Sequence, residues 1–195
     1  VDNSNRIYIQ NALEVCCIQP SDMFYLLKRG NACRKVVTSS APTDLSSDKI
    51  NHCRSQTFFI INLEQRNTIT HQTRISTLSL VDFAGSEYGS TAPTVKKYGG
   101  DGIVEAKLIH RGFYAITGIL RLLASSSPTP PTQDQYQYSK LTQLLRHAIG
   151  GNCKTSVILT ATSSECSIQE TLNTLRFGDQ LCHVINKNVR INEYQ

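Results

Sequence analysis

Apolar and polar residues alternate along parts of the chain with the spacing of β-strands. Residues 57–65 and 74–81 are rich in β-branched and aromatic side chains, and a polar connection through Asn67 separates them. This pattern predicts an antiparallel strand pair. Shorter apolar runs predict two further strands, one at residues 7–10 and a buried one at residues 156–161.

Other segments place apolar residues three and four positions apart, which is the spacing of one face of a helix. This spacing predicts a helix over residues 139–149, with Gly150 as its C-terminal cap, and another over residues 168–184. The clearest pattern predicts a long helix with one stripe facing the core, formed by Ile109, Phe113, Ile116, Leu120 and Leu123.

A shorter helix is predicted over residues 23–28, where Ser21 would cap the free amides and Gly30 would end or loosen the helix. Residues 38–48 are rich in Ser, Thr, Pro and Asp, and residues 125–135 are rich in proline. Both segments are therefore predicted to be loops. Strands that alternate with helices predict an α/β fold.

The composition narrows the class of protein. A length of 195 residues with 39% hydrophobic content suits one globular domain with a real core. The apolar runs fall far short of the roughly 20 residues that span a bilayer, and the first residues carry no signal-peptide pattern. Seven cysteines without a C-x-x-C pair predict reduced thiols, and their spacing does not favour a zinc site.

The charge balance permits an acidic partner, because 20 Lys and Arg residues against 15 acidic residues leave a net charge of +5. No basic-aromatic stripe, zinc-finger spacing or RNP-like segment occurs in the sequence, so we do not expect a nucleic-acid partner. A polymer with an acidic protein surface fits the charge equally well.

The end of the predicted strand pair carries residues suited to phosphate chemistry. The sequence LVDFAGSE at residues 80–87 places Asp82-x-x-Gly85 after an apolar strand. A carboxylate there suits a magnesium ion, and a glycine lets its amide approach a phosphate oxygen. Four residues are a weak match alone. A small GTPase would add N-K-x-D, but the candidate at residues 186–189 lacks the aspartate.

Four blocks, in this order, resemble the motor domains of kinesins. The blocks are LVDFAGSE at residues 80–87, SKLT at 139–142, GGNCKT at 150–155 and ETLNTLRF at 170–177. The resemblance implies a three-layer α/β fold related to P-loop NTPases, with a central mixed sheet that is incomplete in this chain. It also implies that residues 1–195 are a single domain, the C-terminal portion of such a motor, with a neck linker starting at about residues 185–192.

The resemblance implies roles for individual residues of switch II, at about residues 82–87. Asp82, Gly85 and Glu87 match this segment. In the family the aspartate lies near the magnesium ion of ATP, and the glycine amide senses the γ-phosphate. Glu87 would help to position the attacking water, in a reaction where alignment and charge stabilisation carry most of the rate.

Switch I is implied at about residues 49–56. Arg54 matches the arginine that pairs with Glu87 when the switches close over ATP, and Cys53 and Ser55 lie beside it on the nucleotide side. A plain surface ion pair, worth about 0–1 kcal/mol, is the alternative interpretation of this arginine and glutamate.

Several residues depart from the family pattern. Cys53 stands where a serine hydroxyl contacts the magnesium shell, and a thiol is a poor ligand for that hard ion. His52 and Gln56 replace a serine and a histidine of the same motif. Residues 110–112 replace the Asn-Lys-Ser of the relay helix, and residues 135–138 replace Pro-Tyr-Arg-Asp. Each change weakens the case for normal turnover.

The largest departure is that no G-x-x-x-x-G-K-[ST] occurs, although this loop supplies the amides and the lysine that hold the phosphates. Residues 150–155 imitate it, but they follow a helix and precede a strand, so a helix stop is the favoured interpretation. In kinesins the P-loop lies ahead of the matched region. We therefore expect this chain alone neither to bind ATP with Mg²⁺ nor to hydrolyse it, and its open sheet edges predict poor solubility or partial folding.

The family's microtubule-binding side would lie on the helices that carry Lys107, Arg111, Lys140 and Arg146. Solvated helix faces are the alternative interpretation of these charges. Tubulin is acidic, so the attraction would weaken with salt. We expect microtubules as the partner, no membrane partner, a cytoplasmic location on the cytoskeleton, and dimerisation only through coiled-coil regions outside these residues.

Two functions remain open at this stage. The first is part of a microtubule motor that couples ATP binding and hydrolysis to microtubule binding and movement. The second is a non-hydrolysing motor-homology domain that binds microtubules or a partner protein. The altered switch I keeps the second function open.

Overall fold

The computed structural model describes residues 7, 9–34, 36–40, 49–85, 100–125, 131–163, 165–186 and 193–194. Predictions that involve Glu87 or the neck linker beyond Asn186 lie outside the described residues. The chain divides into two compact units, Val1–Ile103 with Ile191–Gln195, and Val104–Arg190. We describe each unit by itself.

The first helix of the first unit, α1, spans Pro20–Ala32. Proline suits the first helical position because its missing N–H has no partner there. The carboxylate of Asp22 accepts hydrogen bonds from the amides of Ile18 and Gln19, at 3.1 and 3.0 Å. The prediction that Ser21 caps this helix was therefore wrong, and the helix continues through Gly30 to Ala32.

Two short strands, β1 at Val36–Ser40 and β2 at Lys49–Cys53, pair antiparallel. Their register joins Val36 to Cys53 and Ser40 to Lys49. The predicted loop at residues 38–48 therefore begins later than expected, because backbone pairing with β2 extends the strand through Thr38, Ser39 and Ser40, two of which are serines with little strand preference of their own.

The predicted hairpin is confirmed. Strands β3, at Thr57–Arg66, and β4, at Thr73–Asp82, pair antiparallel along their whole length. The Asn67 side chain accepts hydrogen bonds from the amides of Ile69 and Thr70, and the Asn67 amide donates to the carbonyl of Gln72. These contacts close the turn. The short strand β5, at Glu193–Tyr194, pairs with the first two residues of β4.

The second unit is mainly helical. Helix α2, at Gly100–Ala124, leads into it and is followed by the short helices α3, at Gln133–Tyr136, and α4, at Lys140–Leu144. A 3-10 turn at Glu165–Ser167 precedes helix α5, at Ile168–Cys182. No helix in the described part of the chain is long and apolar enough to cross a membrane.

The core of the second unit forms on the predicted stripe of α2. Ile116 and Leu120 are the most deeply buried side chains described, with 1% and 0% of their surface exposed. Leu141 of α4 lies against Gly112, where an added Cβ would come within 3.2 Å of it. Leu145 is also buried. The helical spacing therefore identified Ile116 and Leu120 correctly, whereas Ile109, Phe113 and Leu123 are only half-buried and the buried Ile119 lies off the predicted stripe.

Other predicted elements differ in length from those observed. The predicted helix over residues 139–149 is regular only to Leu144, and the predicted loop over residues 125–135 ends in α3. Thr132 begins α3, and its amide donates to the Gln135 side chain at 2.8 Å. The polar side chains near α3 thus form a capped helical turn, which their composition alone did not distinguish from a loop.

Two predicted strands are wrong. Ile9 accepts a hydrogen bond from the amide of Ala12, and Asn11 adopts a φ of 60°, so the chain turns there. At residues 156–161 the backbone joins no sheet within the described residues, and Ile158 is 89% exposed. A single segment becomes a β-strand only beside another strand, and the apolar pattern does not say whether one is present.

Candidate functional site

The residues that match switch I and switch II meet in the first unit. The sheet register pairs Thr57, the first residue of β3, with Asp82, the last residue of β4. The segment before β3 and the segment after β4 therefore start side by side. The Ala84 amide donates a hydrogen bond to the Gln56 side chain at 3.2 Å. The side chain that replaces the family's histidine thus links the two segments directly.

Asp82 forms an ion pair that the sequence analysis did not predict. The Arg34 guanidinium, which follows α1, lies 2.5 Å from a carboxylate oxygen of Asp82. The side chain of Asp82 remains 62% exposed, so the second face of its carboxylate is open to solvent. Because 48 residues separate the two partners, no local spacing rule could have identified the pair.

Arg54 is buried, with 5% of its surface exposed. Its interpretation as part of a surface ion pair was therefore wrong, because a guanidinium with so little exposure does not lie on the surface. Buried charges in proteins are stabilised by partner groups. Glu87, the proposed partner, lies outside the described residues, so the pairing stays a prediction.

The remaining predicted nucleotide-side residues occupy consistent places around this junction. Cys53 is the last residue of β2, and Ser55 lies half-buried in the connection to β3. Gly85 is half-buried beyond the Ala84 contact with Gln56. The sheet therefore places the segment that carries Arg54 beside the segment that carries Asp82 and Gly85.

The predicted basic residues belong to the second unit. Lys107 and Arg111 are exposed on α2, and Lys140 is exposed at the start of α4. Arg111 and Lys140 are each next in sequence to the packed pair Gly112 and Leu141, so the two helices present these cations beside their contact.

Arg146 differs from the other basic residues because it is half-buried. Burial raises the pKa of Tyr136, and the positive charge of Arg146 opposes this change. Partial desolvation lowers the pKa of His147, and Arg146 lowers it further. The positive charge of Arg146 therefore acts on both Tyr136 and His147.

The turn at Gly150 and Gly151 has a structural role. Gly150 adopts a φ of 78°, in the left-handed region that favours glycine. Its amide donates to the Asn186 side chain at 2.7 Å, so that amide is already in use. An added Cβ on Gly151 would lie 2.6 Å from the backbone of His147. Gly150 therefore lies in a turn, but the prediction that it caps the helix was wrong, because α4 ends at Leu144 with Leu145 as its C-terminal cap.

Asn186 connects the segment after α5 to this turn. Its amide nitrogen donates to the carbonyls of Ala148 and Cys153, at 3.0 and 2.7 Å, while its oxygen accepts from Gly150. One side chain thus forms hydrogen bonds with three backbone groups around the turn. The sequence pattern places Asn186 in a linker and gives no sign of this role, because its partners lie more than 30 residues away.

Comparison with known proteins identifies the family. The sequence matches the kinesin motor domain over residues 1–184. The chain belongs to the kinesin motor domain family. It is 33% identical over 190 residues to a kinesin heavy chain of Botryotinia fuckeliana, and 32% identical over 194 residues to the Kinesin-1 heavy chain of Homo sapiens.

Solved kinesin structures agree with this assignment. A fast kinesin superposes with a TM-score of 0.74 at 28% identity, covering 99% of this chain and 50% of its own. A KIF14 dimer, solved with AMP-PNP in complex with a microtubule, superposes with a TM-score of 0.76 at 26% identity, covering 95% and 49%. The α/β kinesin-like fold is thus confirmed.

The kinesin resemblance covers nearly all of this chain but only part of its relatives. The alignments span 95% and 98% of this chain, yet 20% and 18% of the Botryotinia fuckeliana and Homo sapiens heavy chains. The chain therefore spans about a fifth of the length of these curated kinesins and about half the length of the solved kinesin chains.

Proposed function

We propose that this chain forms the switch-containing half of a kinesin-type motor, which couples ATP binding and hydrolysis to microtubule binding and movement. The observation that carries the proposal is the hydrogen bond from the Ala84 amide to Gln56 beside Asp82. It links the two segments that match the family's phosphate-sensing loops. A change in either segment can therefore be transmitted to the other through a direct contact.

The residues present fit part of an ATP and magnesium site. The exposed carboxylate of Asp82 offers an oxygen ligand of the kind that magnesium prefers, and it would hold the ion or its water shell. Gly85 would direct its amide at the γ-phosphate, and Arg54 with Glu87 would orient the attacking water. The bound nucleotide would supply the phosphoryl group for transfer to water. The phosphate cradle would come from a P-loop outside this sequence.

Lys107, Arg111, Lys140 and Arg146 are proposed to contact the microtubule. Support comes from the exposure of the first three and from the KIF14 structure, which was solved in complex with a microtubule. In this proposal the protein acts in the cytoplasm on the cytoskeleton, and any dimer forms through coiled-coil regions outside these residues. Cationic contacts to an acidic surface weaken as salt rises.

A second candidate function is binding to microtubules or to a partner protein without hydrolysis. The altered switch I favours it, because Cys53 replaces a hydroxyl ligand and the neutral amide of Gln56 replaces an imidazole. In this alternative, the contact between Gln56 and Ala84 would hold the two switch segments in one arrangement instead of coupling them to phosphate.

Microtubule-stimulated phosphate release by the full-length protein separates the two functions. If the chain is part of a motor, microtubules accelerate release, and Gly85→Ala lowers the rate at least about tenfold by placing a methyl group beside the sensing amide. Gly30→Ala is the matched control, since nothing lies within 4 Å of an added Cβ there. Microtubule binding without stimulated release would contradict the motor function and support the second candidate.

Sedimentation with microtubules tests the contact residues. Arg111→Ala with Lys140→Ala should weaken binding by about tenfold, and added salt should reduce the difference. Lys28→Ala is the control, because Lys28 is an exposed cation on α1 in the other unit. Equal binding by the double variant and the control would remove these residues from the proposed contact surface.

A further inference from the structure

Gln56 is the last residue before β3, and its half-buried side chain reaches the turn that follows β4. The side-chain oxygen of Gln56 accepts the hydrogen bond of the Ala84 amide, 28 residues further along the chain. A backbone N–H group can only donate, so this contact fixes which end of the Gln56 side chain faces the turn. The segments that match switch I and switch II are thus joined at one defined pair of atoms.

The burial of Ala84 makes this contact necessary. Ala84 is almost completely buried, with 3% of its surface exposed, and a buried amide without an acceptor is costly. The backbone pairing of the hairpin does not supply that acceptor, because the register ends with the pair of Thr57 and Asp82. The Gln56 side chain therefore continues the hydrogen bonding of the hairpin beyond its last strand pair.

The Gly85 amide belongs to the next peptide unit after this contact. The Ala84 N–H lies in the peptide plane between Phe83 and Ala84, and the Gly85 N–H lies in the plane that follows. Because peptide planes are rigid, only the two backbone dihedral angles of Ala84 separate these two amides. Close packing around the buried Ala84 limits both rotations. A fixed Ala84 amide therefore restricts the direction of the Gly85 N–H.

A separate set of contacts holds the start of the same turn. The Arg34 guanidinium lies 2.5 Å from the Asp82 carboxylate, and Asp82 is also paired with Thr57 across the sheet. None of these contacts involves the Gln56 side chain. The start of the turn should therefore stay in place when the bond from Ala84 to Gln56 is removed, and the effect should be confined to Ala84 and Gly85.

The contact also differs in kind from the pair of Arg54 and Glu87 that the family resemblance implies. That pair would join opposite charges, whereas the Gln56 side chain is neutral and its partner is a backbone amide. A neutral hydrogen bond does not depend on salt as an ion pair does. Gln56 can therefore hold the turn independently of the charged pair.

We propose that Gln56 is a positioning residue, whose side-chain oxygen holds the Ala84 amide so that the Gly85 amide is directed at the γ-phosphate. The inference rests on the proposed function, and it adds a residue that acts through Gly85 without touching the nucleotide. The phosphate cradle would come from a P-loop outside this sequence. The loss of Gln56 should therefore slow phosphate release and leave ATP binding nearly unchanged.

Gln56→Met in the full-length protein tests this role, because methionine has a similar length and lacks a strong acceptor. The kcat of microtubule-stimulated phosphate release should fall about tenfold, since misplaced catalytic groups lose most in the transition state. The KM for ATP should change less than about twofold. Gln65→Met is the matched control at the other, exposed end of β3, and it should change neither quantity.

Hydrogen exchange in the same variants reports the positioning directly. The Ala84 amide should exchange about tenfold faster in Gln56→Met, while the β4 amides that are bonded to β3 keep their protection. Gln56→His should restore both the protection of Ala84 and the kcat at pH 8, because a neutral imidazole nitrogen can accept the bond.

Three results would overturn the proposal. One is an unchanged kcat or an unchanged Ala84 exchange rate in Gln56→Met. Another is a loss of protection throughout β3 and β4 in that variant, since Gln56 would then stabilise the sheet and not orient Gly85. The third is a Gln56→His protein in which Ala84 is protected again but kcat stays low, because activity would then not follow the contact.

The outcome can be separated from that of the proposed function. If microtubules do not stimulate phosphate release from the unaltered protein, the motor function is contradicted, while faster Ala84 exchange in Gln56→Met still supports the positioning of the turn. Stimulated release with the same kcat in Gln56→Met and Gln65→Met would contradict the positioning role and leave the motor function standing.

Discussion

The helical unit at Val104–Arg190 and the β3–β4 hairpin of the other unit differ in how they bury their apolar residues. In the helical unit, Ile116 and Leu120 are almost completely buried. In the hairpin, Leu78 and Leu80 keep about half of their surface exposed. Both regions are rich in large apolar side chains, so composition does not explain the difference.

The difference follows from how helices and sheets satisfy their backbones. A helix forms its hydrogen bonds within one segment, so α2 needs only nearby side chains, such as Leu141 and Leu145, to complete a core. A strand forms its backbone hydrogen bonds with a neighbouring strand, and its side chains are buried only where another layer packs on the sheet. The two strands of the hairpin satisfy one backbone edge of each other, while Leu78 and Leu80 stay half-exposed. Stability in the helical unit should therefore depend on side-chain packing, and the hairpin should respond little to the same changes.

The largest expected difference is between Leu120→Ala and Leu78→Ala. The first should lower the free energy of unfolding of the helical unit by about 2–5 kcal/mol, because it leaves a cavity in a filled core. Leu78→Ala should change the free energy of unfolding of the hairpin by less than about 0.5 kcal/mol. Urea unfolding followed by hydrogen exchange in α2 and β3 measures both. Equal losses would show that Leu78 is as well packed as Leu120 in the free chain.

Glycine substitutions sharpen the same comparison within the helical unit. Gly151→Ala should cost at least about 2 kcal/mol, because the new methyl group meets the backbone of His147 and Arg146 at 2.6–2.7 Å. Gly118→Ala is the control, and its effect on stability should have the opposite sign. It lies in α2 with nothing within 4 Å of an added Cβ, so it should stabilise the helix by about 0.5–1 kcal/mol. Thermal unfolding of the two variants checks the signs.

Asn186→Ala should destabilise the turn after α4 by about 1–3 kcal/mol, because the Gly150 amide and the carbonyls of Ala148 and Cys153 lose their partner. Asn173→Ala is the control, since its exposed side chain accepts only an exposed bond from Gln169. Hydrogen exchange at Gly150 gives a direct readout. An unchanged exchange rate there would contradict the connecting role of Asn186.

The ion pair between Arg34 and Asp82 should contribute little to the stability of the unit that contains the hairpin. A double-mutant cycle with Arg34→Ala and Asp82→Asn should give a coupling of about 0.2–1 kcal/mol, because Asp82 is largely exposed. Raising the salt concentration should reduce this coupling. A coupling above about 3 kcal/mol that resists salt would mean that the pair is shielded from solvent.

The smallest effect concerns pH. Desolvation and Arg146 lower the pKa of His147 in the folded chain, so the folded state binds a proton less readily than the unfolded state does. The contribution of neutral His147 to stability is fully present above the unfolded-state pKa of about 6.5. It is lost as the pH falls below that value. The helical unit should therefore weaken slightly between pH 7 and pH 5. His147→Gln should reduce this dependence of stability on pH. An unchanged dependence would show that other titratable groups cause it.

Sequence patterns predicted the elements whose evidence is local. The alternation of residues 57–65 and 74–81 predicted the hairpin, and the stripe through Ile116 and Leu120 predicted the core face of α2. These predictions succeeded because strand and helix periodicities are properties of a short stretch of chain.

Sequence patterns failed where the outcome depended on a distant partner. Residues 156–161 read as a buried strand, yet they join no sheet within the described residues, and Leu159 lies instead against Gly178 of α5. The ion pair of Arg34 with Asp82 and the bonds of Asn186 to the Gly150 turn also escaped prediction. The last two contacts join residues more than 30 positions apart, and no spacing rule covers such distances.

The sequence by itself determined the family, the β3–β4 hairpin and the core face of α2, because these follow from local order along the chain. Only the tertiary structure decided that the Gln56 side chain accepts a hydrogen bond from the Ala84 amide, that Asn186 secures the Gly150 turn and that Leu78 and Leu80 stay half-exposed. Pairing and burial depend on which distant segments come into contact. A pattern along the sequence does not identify those segments.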